Sequence, residues 1–435
     1  MALIDPSQDH APRQDYPLVA SIDVGVAKTV CMAARRDPVL ELHPERPLRI
    51  LGVGVQSAPA IASGKPADFE ACARAIRVAI DQAERMAGET ITHVTATYAG
   101  PGVRGQIVRG ATRVRATAIT QREINAALAA AIQSAPAPGR TILYATPLRY
   151  FIDGEPVREA LGKSAAMLGV EACLVTAPRE AIEALCACIE DAGVQVEEVI
   201  AAPYAAGLGA LTREDREMGA LVLDIGAGAT GISVFAAEGL VHAETIPLGG
   251  VRMTRDLAHR LETTFAAAER AKLVYGGIGR HIDPRETVET PRLGADGRLE
   301  AAMALRGAIV ETLHPRFHEI LLAARDRLVA AGMTGPNGPA RAVLIGGCAM
   351  LPGARELAAE VLGMPVRIGQ PFELCGFETG EASPAYAAAA GVLRWRLDHA
   401  DLQPGAAPPE ASLWDAAAAM RRAASQAWGW LQKNF

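Results

Sequence analysis

Ala220-Leu221-Val222-Leu223-Asp224-Ile225-Gly226-Ala227-Gly228 is the stretch that decides the fold, together with the Gly231-Ile232-Ser233-Val234-Phe235 run behind it. A short apolar run ends at a carboxylate, breaks into glycines and resumes as a second apolar run. That is the pattern of two strands joined by a tight turn. The same layout occurs near the start of the chain, where Leu18 to Gly25 carries Asp23 ahead of Gly25 and Thr29 to Ala33 follows. A turn used twice, each time followed by alternating strand and helix patterns, predicts two related α/β lobes facing each other across a cleft. The cleft is then the expected ligand site.

The chemistry of the two turns points to a phosphate. An aspartate at the end of a strand can hold Mg2+ or its waters, and the glycine beside it lets backbone N–H groups approach a phosphate oxygen. Asp-Gly clusters mostly make ordinary turns, so the signal lies in the pair. Asp23, Gly25, Ala27 and Lys28 form the first candidate loop; Lys28 either neutralises β- or γ-phosphate charge or is simply solvated. Asp224, Gly226, Gly228 and Thr230 form the second, richer in glycine. A third element, Val343 to Gly353, is an apolar strand breaking into Gly346-Gly347 before a helix, which leaves room for a flat purine or ribose against bare backbone. Together the three elements outline a nucleotide cleft, with Mg2+ expected at Asp23 and Asp224.

Working outward, helical patterns run over 68–87, 120–133, 178–192, 253–264, 301–331 and 353–361. The segment 93–176 has strand patterns of its own and reads as a small subdomain inserted in the first lobe. The first lobe is then 17–92 with 177–217, after a disordered 1–16. The second lobe is 218–254 with 331–400, carrying an outer subdomain over 255–330. Residues 401–411 are a Pro- and Gly-rich linker that cannot continue a helix.

Composition narrows the class. At 435 residues the chain needs more than one core. A net charge of −6 disfavours nucleic acid as a partner. The N-terminal segment carries no apolar core of a secretory signal, and no apolar run reaches the roughly 20 residues of a membrane span. The cysteines, Cys31, Cys72, Cys173, Cys186, Cys188, Cys348 and Cys375, lack metal-finger spacing and read as reduced core residues. In the helical run around Cys186 and Cys188, side chains two apart point to different sides.

The last 24 residues, 412–435, open on Ser412, a good N-cap, and continue as an alanine-rich helix. At about 100° per residue, Leu413, Trp414, Met420, Trp428, Leu431 and Phe435 gather on one face. Such a face packs either on a core or into a lipid interface, where tryptophan settles at the headgroup boundary. The tether before it and Trp414, Trp428 and Trp430 within it favour the membrane.

The strand-turn-strand pair and the Gly-Gly element, in this order, resemble the actin, sugar kinase and DnaK-type superfamily. Ala79 to Ala87, Arg122-Glu123-Ile124, Ala201 to Ala205, Gly249-Gly250 with Met253, Thr254 and Asp256, Glu269 with Lys272, and Val366 to Pro371 are similar to the FtsA family, over roughly 17–395. The resemblance implies an actin-like fold of duplicated RNase H-like lobes, an inserted SHS2-type subdomain and a terminal amphipathic membrane-targeting helix. It implies that Gly249 and Gly250 belong to the nucleotide site, that Glu269 and Lys272 flank the adenosine, and that Gly346, Gly347 and Met350 line the base pocket. Read bare, Glu269 and Lys272 are a solvated helix pair. It also implies a peripheral protein on the inner face of the cell membrane at the septum, polymerising with itself and holding the C-terminal peptide of FtsZ. Arg316 and Glu319 are the candidate peptide contacts, or else a helix charge pair. Later division proteins such as FtsN would meet the inserted subdomain, whose Arg104, Arg109, Arg113 and Arg115 are otherwise ordinary strand charges. Two departures stand out. Val26 replaces a hydroxyl residue, and Ala202 precedes Pro203 where the related MreB has a water-orienting Glu, so ATP binding with slow or negligible turnover is expected. The alternatives are a PilM-like pilus assembly protein and, with no clear catalytic base, a superfamily kinase.

Overall fold

The computed structural model describes residues 16–36, 48–57, 61–62, 64–66, 68–135, 137–279, 281–335, 338–371, 374–375 and 382–398. The expected membrane-facing residues Leu413, Trp414, Met420, Trp428, Leu431 and Phe435 lie outside them. No helix among the described residues is long and apolar enough to cross a membrane.

The first lobe begins with β1 (Val19–Val24), β2 (Lys28–Arg36) and β3 (Leu48–Ser57), an antiparallel meander. Helix α1 (Phe69–Ala87) starts at Asp68, whose carboxylate accepts the Ala71 N–H at 3.0 Å, and stops at Gly88 with φ 71°. It lies almost on the backbone of β3: a Cβ at Gly54 would stand 1.7 Å from the Ala79 carbonyl oxygen. The sheet then takes β4 (His93–Tyr98), parallel to β1. This corrects the subdomain boundary expected at residue 93. Val94 to Tyr98 are all buried and sit between two strands of the first lobe, so the insert starts after them.

The insert comprises β5 (Arg104–Arg113), α2 (Gln121–Gln133), β6 (Arg140–Ile152), β7 (Glu155–Val157) and β8 (Met167–Pro178). Helix α2 opens with a reciprocal cap between Thr120 and Glu123 and packs on one face of the small sheet. The chain returns to the first lobe through α3 (Arg179–Asp191) and β9 (Gln195–Ala201), completing the strand order β9-β4-β1-β2-β3 plus Leu374–Cys375. Helices α4 (Ala202–Ala210) and α5 (Arg213–Met218) lead to the second lobe.

There the first-lobe meander is repeated as β10 (Ala220–Ile225), β11 (Thr230–Ala236) and β12 (Gly239–Ile246). Next come α6 (Gly250–Arg260), α7 (Phe265–Tyr275), four short strands in two ribbons, and α8 (Arg306–Ala330). The helix expected over 253–264 is two helices, because Glu262 takes φ 48° and the Thr264 hydroxyl caps the second by accepting the Ala267 N–H. The boundary expected at 254/255 therefore falls inside α6. The helix expected from 301 starts at Arg306, since Met303–Leu305 pairs as a strand with Thr287–Glu289. Strand β13 (Arg341–Ile345) lies parallel to β10, and α9 (Ala354–Leu362) and β14 (Val366–Ile368) finish this sheet.

The order β14-β13-β10-β11-β12 continues into β5-β8-β6-β7 of the insert through a single residue pair, Glu244 with Arg104. The last helix, α10 (Ala387–Asp398), corrects another boundary. Expected within the second lobe, it packs against the first, with Ala389 and Leu393 buried on Val30 and Met32. Gly391 makes this possible, because a Cβ there would lie 1.7 Å from the Ala205 carbonyl oxygen of α4. Cys31, Cys72, Cys173 and Cys188 are buried free thiols within the first-lobe core, as read from the sequence.

Candidate functional site

The two lobes enclose a cavity of about 1130 Å³ whose floor is the two Asp turns. Twelve of the residues selected from sequence line it: Asp23, Gly25, Ala27, Lys28, Asp224, Gly226, Gly228, Glu269, Lys272, Gly346, Gly347 and Met350. The loops touch each other. A Cβ at Gly228 would stand 2.3 Å from Val26 Cγ2, so the second loop closes on the first only because that position is glycine.

Thr230, Gly249 and Gly250 do not line the cavity. Thr230 is fully buried and donates its hydroxyl to the Leu248 carbonyl at 2.8 Å. Gly249 and Gly250 support the second loop from behind: Gly250 N–H donates to Gly226 O at 3.0 Å, Val251 N–H to Ala227 O at 2.8 Å, and a Cβ at Gly249 would lie 2.6 Å from that Ala227 oxygen. Their part is to hold the glycine loop in shape.

The electrostatics of the floor are set by burial. Asp224 is pushed up to about 7, first by desolvation and then by Asp23 across the cleft, with Lys28 opposing. Asp23 is also raised by burial, but the Thr97 hydroxyl bonded to its Oδ1 and the Lys28 ammonium both work against the shift. Burial lowers Lys28 in turn, although both aspartates hold it charged, and its Nζ lies 4.3 Å from the centre of the Tyr386 ring. Two part-buried carboxylates with one ammonium beside them favour a further cation. Among the described residues no cluster of three or more His, Cys, Asp or Glu is set to hold a metal alone. Two carboxylates without a full protein cage suit Mg2+, which takes its remaining ligands from phosphate and water.

At the other end of the cleft the reading of Glu269 and Lys272 as a solvated pair is overturned. Lys272 is 5% exposed, and its Nζ donates to Glu269 Oε2 and Thr254 Oγ1, each at 2.8 Å. Thr254 also bonds Glu269, so the three form one closed network joining α6 and α7. Phe265, Arg252 and Arg255 line the same side, and Cys348, whose thiol burial pushes up to about 11, lies beneath it. Sequence reading missed these, along with Thr97 and Thr245 on the floor. Thr97 alone had a signal, ending a strand as Asp23 does.

Arg316 and Glu319 sit away from the cavity. The Arg316 guanidinium bonds Asp256 on α6 and donates to Glu319 Oε2 at 2.8 Å, and Arg252 approaches Glu319 at 3.8 Å. They tie α8 to α6, and Arg316 remains 39% exposed. On the insert, Arg109 pairs with Glu171 at 2.6 Å.

Comparison with known proteins closes the question of family. A model described as cell division protein FtsA matches residues 221–391, one described as the SHS2 domain inserted in FtsA matches 100–176, and one for the type IV pilus assembly protein PilM matches 155–281. Cell division protein FtsA of Agrobacterium fabrum is 34% identical over 382 residues, covering 86% of each chain. That of Escherichia coli K12 is 28% identical over 390 residues, 88% of this chain and 90% of the relative. Among solved structures, a PilM–PilN type IV pilus biogenesis complex superposes with a TM-score of 0.62 at 18% identity, over 87% of this chain and 98% of that one. MreB5 of Spiroplasma citri bound to ADP gives 0.50 at 13% identity, over 88% and 97%. The last two establish an actin-like fold, the SHS2 match accounts for the insert, and on the identity and coverage of the first relative the chain belongs to the FtsA family of cell division proteins.

Proposed function

We propose that this chain binds ATP with Mg2+ in the cleft, polymerises on the inner face of the cytoplasmic membrane and tethers FtsZ filaments there at the septum. The observation that carries the nucleotide part is the convergence of Asp23, Asp224 and Lys28 on the floor of one interlobe cavity, in a chain of the FtsA family. Asp23 and Asp224 hold the metal, Gly25, Ala27, Gly226 and Gly228 offer backbone to the phosphates, and Lys28 adds charge. The bound metal supplies charge neutralisation to those phosphates. Thr230, Gly249 and Gly250 act behind the loop. The Glu269–Lys272 network and Gly346, Gly347 and Met350 border the nucleoside. Turnover is slow, because Ala202 at the head of α4 carries no group that accepts a proton.

The membrane and partner assignments rest on family membership and on the composition of the tail. The proposed anchor is 412–435, held by the 401–411 linker, with Leu413, Trp414, Met420, Trp428, Leu431 and Phe435 facing lipid. The proposed FtsZ peptide site is the outer subdomain around Arg316 and Glu319, which would exchange their contacts with Asp256 and Arg252 for a peptide. Later division proteins such as FtsN would dock on the insert. The likeness to PilM favours one competing reading, a component of a pilus machine.

Co-sedimentation with anionic liposomes separates them. The full chain and a chain ending at Gly405 are each spun with ATP, with and without FtsZ. The expected result is that only the full chain pellets and that FtsZ pellets with it. Equal pelleting of both chains, or FtsZ left in the supernatant, returns the pilus reading.

A further inference from the structure

We propose that Thr245 is the water-positioning residue of this cleft, working across the slot that Gly231 leaves open, and that a neutral hydroxyl in this role is why turnover is slow. This rests on the reading that the cleft takes ATP.

The argument starts from register. Asp224 on β10 stands opposite Gly231 on β11, and Gly231 stands opposite Thr245 on β12. Residues directly opposite one another in a sheet put their side chains on the same face. Asp224 and Thr245 therefore face the cleft together, about 10 Å apart at Cα for two strand spacings. Between them is a position with no side chain. A Cβ at Gly231 would lie 3.0 Å from Pro203 Cγ and 3.5 Å from Asp224 Cβ, so the slot is walled by Pro203 on one side and Asp224 on another. All three neighbours, Pro203, Asp224 and Thr245, line the cavity.

The Thr245 hydroxyl is what makes the slot unusual. Thr245 is 6% exposed, yet its Oγ1 has no hydrogen-bond partner among the described residues. A buried hydroxyl left unpaired gives up the hydrogen bonds it makes in water, so a partner at this position is favoured. Nearby hydroxyls are engaged: Thr97 on the floor bonds Asp23, and behind the floor Thr230 and Ser233 bond carbonyls. An unused donor and acceptor on the strand beside the Gly231 slot, which Pro203 walls next to the carboxylate-free Ala202, leaves a hydrogen-bonding place for a water. Thr245 accepts a hydrogen bond from that water and turns its oxygen toward the terminal phosphate. In the reaction the water oxygen bonds to the terminal phosphorus as the bond from that phosphorus to the bridging oxygen breaks. ADP departs, one water proton stays on the inorganic phosphate, and the other passes to solvent. Thr245 orients the water without taking its proton, which gives direction without basicity.

The test compares the full-length wild type with Thr245→Val, Thr245→Ser and Gly231→Ala. Valine keeps the shape and deletes the hydroxyl, serine keeps the hydroxyl, and the alanine fills the slot while leaving Thr245 intact. Two readouts are taken: single-turnover ATP hydrolysis, and affinity for ADP with aluminium fluoride relative to ADP alone. Thr245→Val and Gly231→Ala should each lower both the rate and the preference for the fluoride complex by about 10-fold or more, while Thr245→Ser stays within about threefold of wild type. ADP affinity should change less than about twofold in all three, since only the water is lost. An unchanged fluoride preference in Thr245→Val, or a wild type that binds ADP but shows neither hydrolysis nor such a preference, overturns the proposal. A wild type that binds no adenine nucleotide at all instead removes the reading beneath it.

Discussion

The two Asp turns are the same device built twice, yet they hold their carboxylates differently. Asp23 is the penultimate residue of β1, beside Thr97, whose hydroxyl donates to it, and the three residues Gly25, Val26 and Ala27 lie between that strand and Lys28 at the head of β2. Asp224, penultimate in β10, stands opposite a glycine, and among the described residues no hydroxyl donates to it. Burial raises both; at Asp23 the Thr97 hydroxyl and Lys28 oppose the shift, while at Asp224 the Asp23 charge adds to it, Lys28 opposes it, and the carboxyl is pushed up to about 7. The lesson is that repetition of a backbone turn does not repeat its electrostatics. In the proposed function the first loop would supply the hydroxyl-anchored carboxylate, and the second the glycine cradle and a carboxylate that would exchange a proton for a cation.

The largest expected effect comes from the cradle. Gly228→Leu should push the loops apart at Val26 and weaken nucleotide binding by about 100-fold or more, whereas Ala27→Leu, at an exposed position of the first loop, should cost about 10-fold or less by titration calorimetry. Equal losses would break the comparison.

The next separates the carboxylates by pH. The folded chain keeps the Asp224 proton to about 7, while the unfolded chain releases it near 3.8. Between those values the folded state binds more protons, so ligand-free stability falls as pH rises through the window. Asp224→Asn should flatten that fall and raise the melting temperature at pH 8 by a few degrees, with Mg2+-dependent nucleotide binding lost. Asp23→Asn should flatten it less. A wild-type melting temperature that climbs from pH 5 to 7, apart from changes shared by Asp224→Asn, would contradict the assignment.

Thr97→Val sharpens the same contrast from the other side. Without its donor, Asp23 should behave like Asp224, at a cost of about 1.5 kcal/mol above neutral pH by urea unfolding. The smallest effect should be Tyr386→Leu, which removes the ring over Lys28 and should shift nucleotide affinity by about 0.5–1 kcal/mol.

Much of this was legible in the residues because the signals are local. An apolar run ending in Asp-x-Gly makes the same turn wherever it occurs, and Asp68, Gly88 and the Thr120–Glu123 box mark helix ends with side chains a few positions away. Thr264 was misread because the same hydroxyl can close one helix or open the next, and only the left-handed backbone at Glu262 decides. Taken bare, Glu269 and Lys272 read as a solvated pair because an i,i+3 charge pair looks the same on a wet helix as on one folded against a cleft.

The amino-acid sequence by itself determined the two turns, the helix caps and the family, since each depends on residues close in the chain or on their order along it. The tertiary structure decided which sheet β4 joins, that α10 crosses back to the first lobe, that the insert meets the second lobe at Arg104 and Glu244, and that Thr97 and Thr245 stand beside the aspartates. Those are facts of register and close approach between distant segments. A fully buried threonine carries no mark in the sequence to distinguish a hydroxyl with a partner from one without.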